Sequence, residues 1–465
     1  MRIKEDFKRL GYFWLPSNPE RRVPGTLFIN DGGEIRLEIF GLFDESIEGI
    51  NRLGSSNGTL GRIVGQIEPN ELVTLDNCFY IQPGMPLFGP SKSTIHVKVA
   101  YIGVAYDEDE LTLFNNFRFS VEGLDEWLGI SGLSFDYEND FKTATIKYSA
   151  PKETTFNIKS GLKLSVEFDW TLPEQPIKNS ARITHKAYLN IFSELPIPLF
   201  DFIETAYKLT NFISFAIDKT VCIESVMVTN DSIRMDIGKN KSLPVQVAIY
   251  YASLPYAKYP AKVNEYEMLF GFQEILNDAE RKINNWLEAY AIIDPALSLY
   301  FSTKVGAHKY LESKFLALAQ GLETYNRKMS NATLMDEESY SNIVENLMEK
   351  CPEEKKDWLK GRLLHGNELS LSQRIKRIIE PFKKLLGASA ERNKLIRSIV
   401  NTRNYLTHYD EKLKKDAVTG EELWFLCVKM EAIFQLHLLQ VLGFTNEEVN
   451  SVFNRSYELQ KKLSK

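Results

Sequence analysis

The sequence predicts an α+β protein with a β-rich, antiparallel and sandwich-like N-terminal half followed by an all-α bundle. Three observations predict it. Apolar and polar residues alternate along many short runs up to about residue 260, as half-buried strands do. From about Tyr266 the apolar period becomes helical and stays so. The formal charge also changes sign: residues 1–300 carry 29 Lys+Arg against 40 Asp+Glu, and residues 301–465 carry 27 against 22. The division that follows is 1–262, a β-rich region of one or two subdomains, and 263–465, a bundle with a preceding helix.

The strand-like runs are TLFIN (26–30), EIRLEIFG (34–41), STIHVKVAYIGV (93–104), FRFSVEGL (117–124), TATIKYS (143–149), LKLSVEFDW (162–170) and RITHKAYLNIF (182–192). Turn signals punctuate them at Asp31-Gly32-Gly33, Gln82-Pro83-Gly84-Met85-Pro86, Ser91 and Pro151. One helix interrupts, IPLFDFIETAYKLTNFISFAID (197–218), and VCIESVMVTN and VQVAIYY read as strands after it. His185 and the aromatics could line a ligand groove here, though core or sheet-surface positions are the commoner fate of such residues.

The second half reads as helices over 270–293, 308–329, about 337–350, 371–387, 390–408, 420–442 and 446–463. Capping-box patterns mark three starts, Ser370-x-x-Gln373, Thr419-x-x-Glu422 and Thr445-x-x-Glu448. Pro352 ends one helix and Gly443 another. The stretch 420–442 is apolar almost all round, so it is the expected central rod, with His437 a core histidine.

Composition excludes several classes. With 44% hydrophobic and 12% aromatic residues in 465, the chain can bury large cores. No signal-peptide core and no run of about 18 apolar residues occurs, so no membrane span is expected and the cytoplasm is the default location. Cys78, Cys222, Cys351 and Cys427 are scattered without metal-ligand spacing and read as reduced packing thiols. No Gly-rich phosphate loop or nucleophile elbow appears, so no cofactor or metal is implied.

Chemistry concentrates in ERNKLIRSIVNTRNYLTHYD (391–410). As a helix it sets Leu395, Ile396, Ile399, Val400 and Leu406 on an apolar stripe, with Arg403 inside it, about 40° from Ile399. A guanidinium there needs a carboxylate, a phosphate or a second subunit, because an unpaired buried charge costs several kcal/mol. His408 follows five residues on, a divergence of about 140°. Arg-x4-His alone is weak, since 19 Arg and 6 His supply about 0.25 by chance. Context strengthens it: the motif ends a long helix in an all-helical region, a polar loop (DEKLKKDAVTG) follows, and it closes the segment Lys355–Arg403, with 13 basic and 4 acidic residues. A basic working face on an acidic protein suits a polyanion, though a solvated helix surface gives the same count.

TRNYLTHYD within such a bundle resembles the HEPN superfamily, whose motif is Arg, a polar residue, then His after four to six positions, and is close to that of its Apea-like branch. The β-rich half followed by the bundle is similar to the ApeA architecture of bacterial anti-phage defence. That resemblance implies a metal-independent endoribonuclease acting in abortive infection on cellular RNA, tRNA among the candidates, regulated through the N-terminal region and triggered there by a phage-derived partner. It implies Arg403 and His408 as catalytic residues with Asn404 as their polar neighbour, in a homodimer or higher even homo-oligomer formed through the bundle. Lys383, Lys384, Arg392, Arg397 and His365 are the residues expected to contact RNA.

Residue chemistry fits that expectation. RNA carries its own nucleophile, the 2′-OH, so the protein need only move protons and stabilise charge. An imidazole suits the first task and a guanidinium the second. Asn404, one turn before His408, can orient the imidazole. A two-fold pair can set His408 of one chain beside Arg403 of the other. Two alternatives stay open: Arg403 pairs with Asp410 or Glu411 and the motif is a structural helix end, or the bundle is a non-catalytic RNA-binding or interaction module.

Overall fold

The computed structural model describes all residues except 45–58, 85–91, 139–141, 160, 174–178, 237, 239–240 and 465. Of the turn signals, Met85, Pro86 and Ser91 lie outside the described residues. The chain forms two units, Met1–Asn284 and Asn285–Lys465.

In the first unit, thirteen strands make one antiparallel sheet among the described residues. They are β1 (Phe7–Leu15), β2 (Asn18–Ile29), β3 (Ile35–Phe40), β4 (Thr59–Ile67), β5 (Glu71–Gln82), β6 (Lys92–Val97), β7 (Val99–Ile102), β8 (Leu113–Val121), β9 (Thr154–Ile158), β10 (Leu162–Thr171), β11 (Thr184–Pro198), β12 (Ile223–Thr229) and β13 (Val247–Tyr251). Their order is β9-β10-β11-β8-β12-β13-β7-β5-β4-β1-β2-β3-β6, and β6 pairs back onto β5 through Phe79↔His96 and Tyr80↔Ile95. That last pairing closes β5-β4-β1-β2-β3-β6 into a barrel, which removes its free edges. The remaining strands continue from β5 as an open sheet.

Period-two patterning explains the barrel. Val23, Leu27 and Ile29 of β2, Ile35, Leu37 and Ile39 of β3, and Ile95 and Val97 of β6 all point into one buried core with Phe13. The β2–β3 turn depends on Gly33, whose φ is 80° and whose Cβ, if it had one, would lie 2.0 Å from the Tyr251 carbonyl oxygen. The run 93–104 is two strands because the chain breaks at Lys98 and changes partners, β6 pairing with β3 and β7 with β13. On the open sheet lies α1 (Leu124–Leu128) and the long α2 (Leu199–Ile217), the latter stacking Phe202 on Phe117 at 5.8 Å. His185 of β11 bonds the Tyr148 hydroxyl at 3.1 Å, stacks on Phe168, and borders a cavity of about 660 Å³ with Asp125, Glu126 and Arg182.

The second unit is helical. After α3 (Ala279–Lys304), which crosses the boundary between units, come α4 (Leu311–Met329), α5 (Glu337–Glu349), α6 (Lys356–Leu363), α7 (Leu371–Ile379), α8 (Ser389–His408), α9 (Gly420–Val441), α10 (Asn446–Arg455) and α11 (Tyr457–Ser464). The β-rich half followed by a helical bundle is thus the architecture found. α9 is the central rod, with Leu426, Met430, Ile433, Phe434, Leu436 and Leu439 all buried, packed against α4, α8, α10 and α11. The Ser370 and Thr445 capping boxes form, and Gly443, at φ 90°, follows α9. Thr419 makes no side-chain cap. The expected helix 371–387 stops at Ile379 because Pro381 tightens the chain into a 3₁₀ turn. That at 446–463 breaks at Ser456, whose hydroxyl accepts from Leu459 N–H and starts the last helix. Helix α6 carries no buried residue and hence no apolar stripe by which to foresee it.

His437 is buried among Tyr325 and Phe382 and donates from Nε2 to the Ile378 carbonyl at 2.8 Å. Burial pulls its pKa down to about 4. An unfolded chain binds this proton near pH 6.5 while the folded one resists it, so stability is full above pH 6.5 and falls as pH drops towards 4. At about 1.4 kcal/mol per unit the expected loss is roughly 3 kcal/mol. Denaturant titrations from pH 7 to 4 should show a shallower acid slope for His437→Gln than for wild type; equal slopes contradict this.

Candidate functional site

The geometry of the motif follows from how α8 sits in the bundle. Its buried stripe is Ile396, Ile399 and Thr402, spaced by three. Leu395, Val400 and Leu406, expected on that stripe, are half-buried instead. Thr402 joins the buried stripe although polar, because its hydroxyl accepts the Val418 N–H at 3.1 Å, tying the loop after His408 to the helix. Arg403 therefore lies at the stripe's margin with 35% of its side chain exposed.

Arg403 donates from Nη1 to Asn404 Oδ1 at 3.3 Å, and its Nη2 lies 3.9 Å from Glu323 Oε2 on α4. Neither Asp410 nor Glu411 is its partner. Asp410 caps the next short helix by accepting Lys412 N–H at 2.9 Å, and Glu411 holds Lys414. Asn404 thus faces Arg403, and no side-chain hydrogen bond joins it to His408 among the described residues. His408 is the last residue of α8, exposed, and its imidazole makes no hydrogen bond or ion pair to any described residue. Behind it Thr407 donates to the Arg403 carbonyl at 2.7 Å, and Tyr409 takes the left-handed conformation (φ 52°) that turns the chain away from the helix.

A network of charged side chains leads away from Arg403. Glu323 Oε1 accepts from Arg327 Nη2 at 3.0 Å and Nε at 3.2 Å. Arg327 also bonds Glu368, which holds His365 at 2.7 Å and the buried Arg374 at 3.4 Å. The hydrogen bonds from Arg327 and then His365 keep the Glu368 carboxyl below its usual range. Sequence reasoning missed Glu323, Arg327, Glu368 and Arg374; the i,i+4 spacing of Glu323 and Arg327 was the available signal.

The expected RNA contacts separate accordingly. His365 is exposed and joins the Arg403 network through Glu368. Lys383 pairs with Glu380 at 2.7 Å, and Arg392 donates to the Lys383 and Gly387 carbonyls. Arg392 stands sixteen residues before His408, about 24 Å along the helix, so these two and their exposed neighbour Lys384 lie towards the opposite end of α8. Arg397 is exposed and free of any described partner. Among the described residues no group of three or more His, Cys, Asp or Glu side chains could hold a metal ion, and no helix is long and apolar enough to cross a membrane.

Comparison with known proteins agrees with this arrangement. No curated protein and no solved structure matches the chain. Two family models do: ApeA N-terminal domain 1 over residues 8–286, and Apea-like HEPN over residues 316–448, which contains the whole of α8. With the first covering more than half of the sequence and the second the helix that carries Arg403 and His408, the chain belongs to the ApeA-type HEPN proteins.

Proposed function

We propose that the protein is a metal-independent endoribonuclease of anti-phage defence, cleaving cellular RNA when two bundles bring their motifs together. HEPN domains are typically ribonucleases, and one observation carries the reading here. His408 ends α8 exposed and unpartnered, while Arg403, one and a half turns earlier, keeps N–H donors unspent. In this reading Arg403 binds and neutralises the scissile phosphate, His408 moves the proton to or from the 2′-OH or the leaving 5′-oxygen, and Asn404 steadies the guanidinium. His365 and Arg397 contact the flanking strand; Lys383, Lys384 and Arg392 serve RNA farther from the cut. The half-buried Leu395, Val400 and Leu406 supply apolar surface for a second copy. The N-terminal unit senses the trigger, in the cytoplasm.

The proximity of Glu323 to Arg403 favours a second reading, a non-catalytic RNA-binding or interaction module in which that pair is structural. Mixing separates the two. Arg403→Ala and His408→Ala chains are each expected to be inactive alone. If the site takes Arg403 from one chain and His408 from the other, a mixed dimer holds one intact site, and equal mixing restores up to about a quarter of wild-type cleavage. Salt-sensitive RNA binding without cleavage by wild type supports the module instead.

A further inference from the structure

Arg403 and Glu323 form an ion pair without a hydrogen bond. At 3.9 Å the contact is too long for an N–H···O hydrogen bond, whose range is about 2.7–3.2 Å. Coulomb attraction nonetheless acts across it. Glu323 cannot swing closer without giving up Arg327, which grips its other oxygen with two N–H groups. Arg327 is in turn fixed by Glu368, itself held by Arg374, whose side chain is 5% exposed. The carboxylate facing Arg403 is therefore mounted on a braced support, 18% exposed, while the guanidinium spends one N–H on Asn404 and none on Glu323.

We propose that Glu323 is a positioning residue for Arg403: it directs the guanidinium by charge without taking a hydrogen bond from it, and so leaves the N–H groups not used by Asn404 for the RNA phosphate. This rests on the ribonuclease reading above. The arrangement has a cost and a benefit that move in opposite directions. A carboxylate about 4 Å from the phosphate-binding group repels the incoming phosphate and weakens binding. The same carboxylate holds the guanidinium where the transition-state charge develops, and misplacement by about 1 Å can cost 10²-fold in rate. A purely structural ion pair has no such split signature.

The test uses the full chain with an RNA that wild type cleaves and its 2′-O-methylated counterpart, which lacks the nucleophile. For Glu323→Gln, Kd for the methylated RNA is expected to tighten about threefold or more while kcat falls about tenfold or more, with thermal unfolding near wild type. Glu323→Asp keeps the charge and should lie between the two. In an Arg403→Ala background, which does not cleave, Glu323→Gln should leave Kd for the methylated RNA unchanged, because its effect passes through Arg403. Unchanged Kd and kcat in Glu323→Gln, or an equal effect on Kd in the Arg403→Ala background, overturns the proposal. Should Glu323→Gln fail to fold, Glu323→Asp decides, and wild-type kcat there overturns it. If wild type cleaves no RNA, the ribonuclease reading has failed, and the Kd comparison still decides whether Glu323 acts on Arg403.

Discussion

His408→Ala is expected to lower RNA cleavage by roughly three orders of magnitude and to leave the thermal unfolding of the chain close to wild type. The size follows from the role, since a positioned general acid or base contributes about 10²–10⁴-fold. The unchanged fold follows from position. His408 is exposed and its imidazole is bonded to no described residue, so the one interaction lost is with the C-terminal end of the helix dipole, about 0.3–1 kcal/mol. That is too little to unfold a bundle of this size. Single-turnover cleavage with a melting curve on the same preparation checks both halves. A folded variant cutting at the wild-type rate removes His408 from the mechanism.

Glu431→Gln is the substitution expected to damage the fold most. The carboxylate is buried on α9, 8% exposed, and meets Lys304 at 2.8 Å, Lys462 at 3.1 Å and Lys314 at 3.4 Å, so that it joins α3, α4 and α11. Burial alone would raise its pKa, but the charges of Lys304, Lys462 and Lys314 outweigh burial and hold it far below the usual carboxylate range. The neutral amide leaves three poorly solvated ammonium groups without their counter-charge. Breaking a buried pair in this way costs about 3–5 kcal/mol, which lowers the bundle's melting temperature by about 10 °C or more. Calorimetry of the full chain reads the effect; a bundle transition within about 2 °C of wild type contradicts it.

How much of this was legible depended on whether the deciding interaction is local. Period-two runs such as 34–41 and 162–170 marked strands, and the capping boxes at Ser370 and Thr445 marked helix starts, because those signals act within a few residues. Barrel closure was not legible, since it needs β1 to meet β4 and β3 to meet β6, strands whose paired residues lie about fifty or more positions apart in the chain. The motif was visible as Arg403 and His408 on one helix; Arg403, expected inside the apolar stripe, lies at its margin, and the question left was its partner. Its answer, Glu323, lies eighty residues away on another helix, where only tertiary packing brings it near. The burial of Thr402 was hidden for the same reason, its hydroxyl being satisfied by Val418 in a loop.

The central claim is that this chain cuts RNA through its own 2′-OH with Arg403 and His408 and without a metal ion. The most direct measurement is the chemistry of the cut ends. Total RNA is incubated with wild type and with His408→Ala in excess EDTA, and the new termini are mapped. The account predicts 2′,3′-cyclic phosphates and 5′-hydroxyls with wild type and none with the variant. Cleavage that stops in EDTA, or that leaves 5′-phosphates, would contradict it.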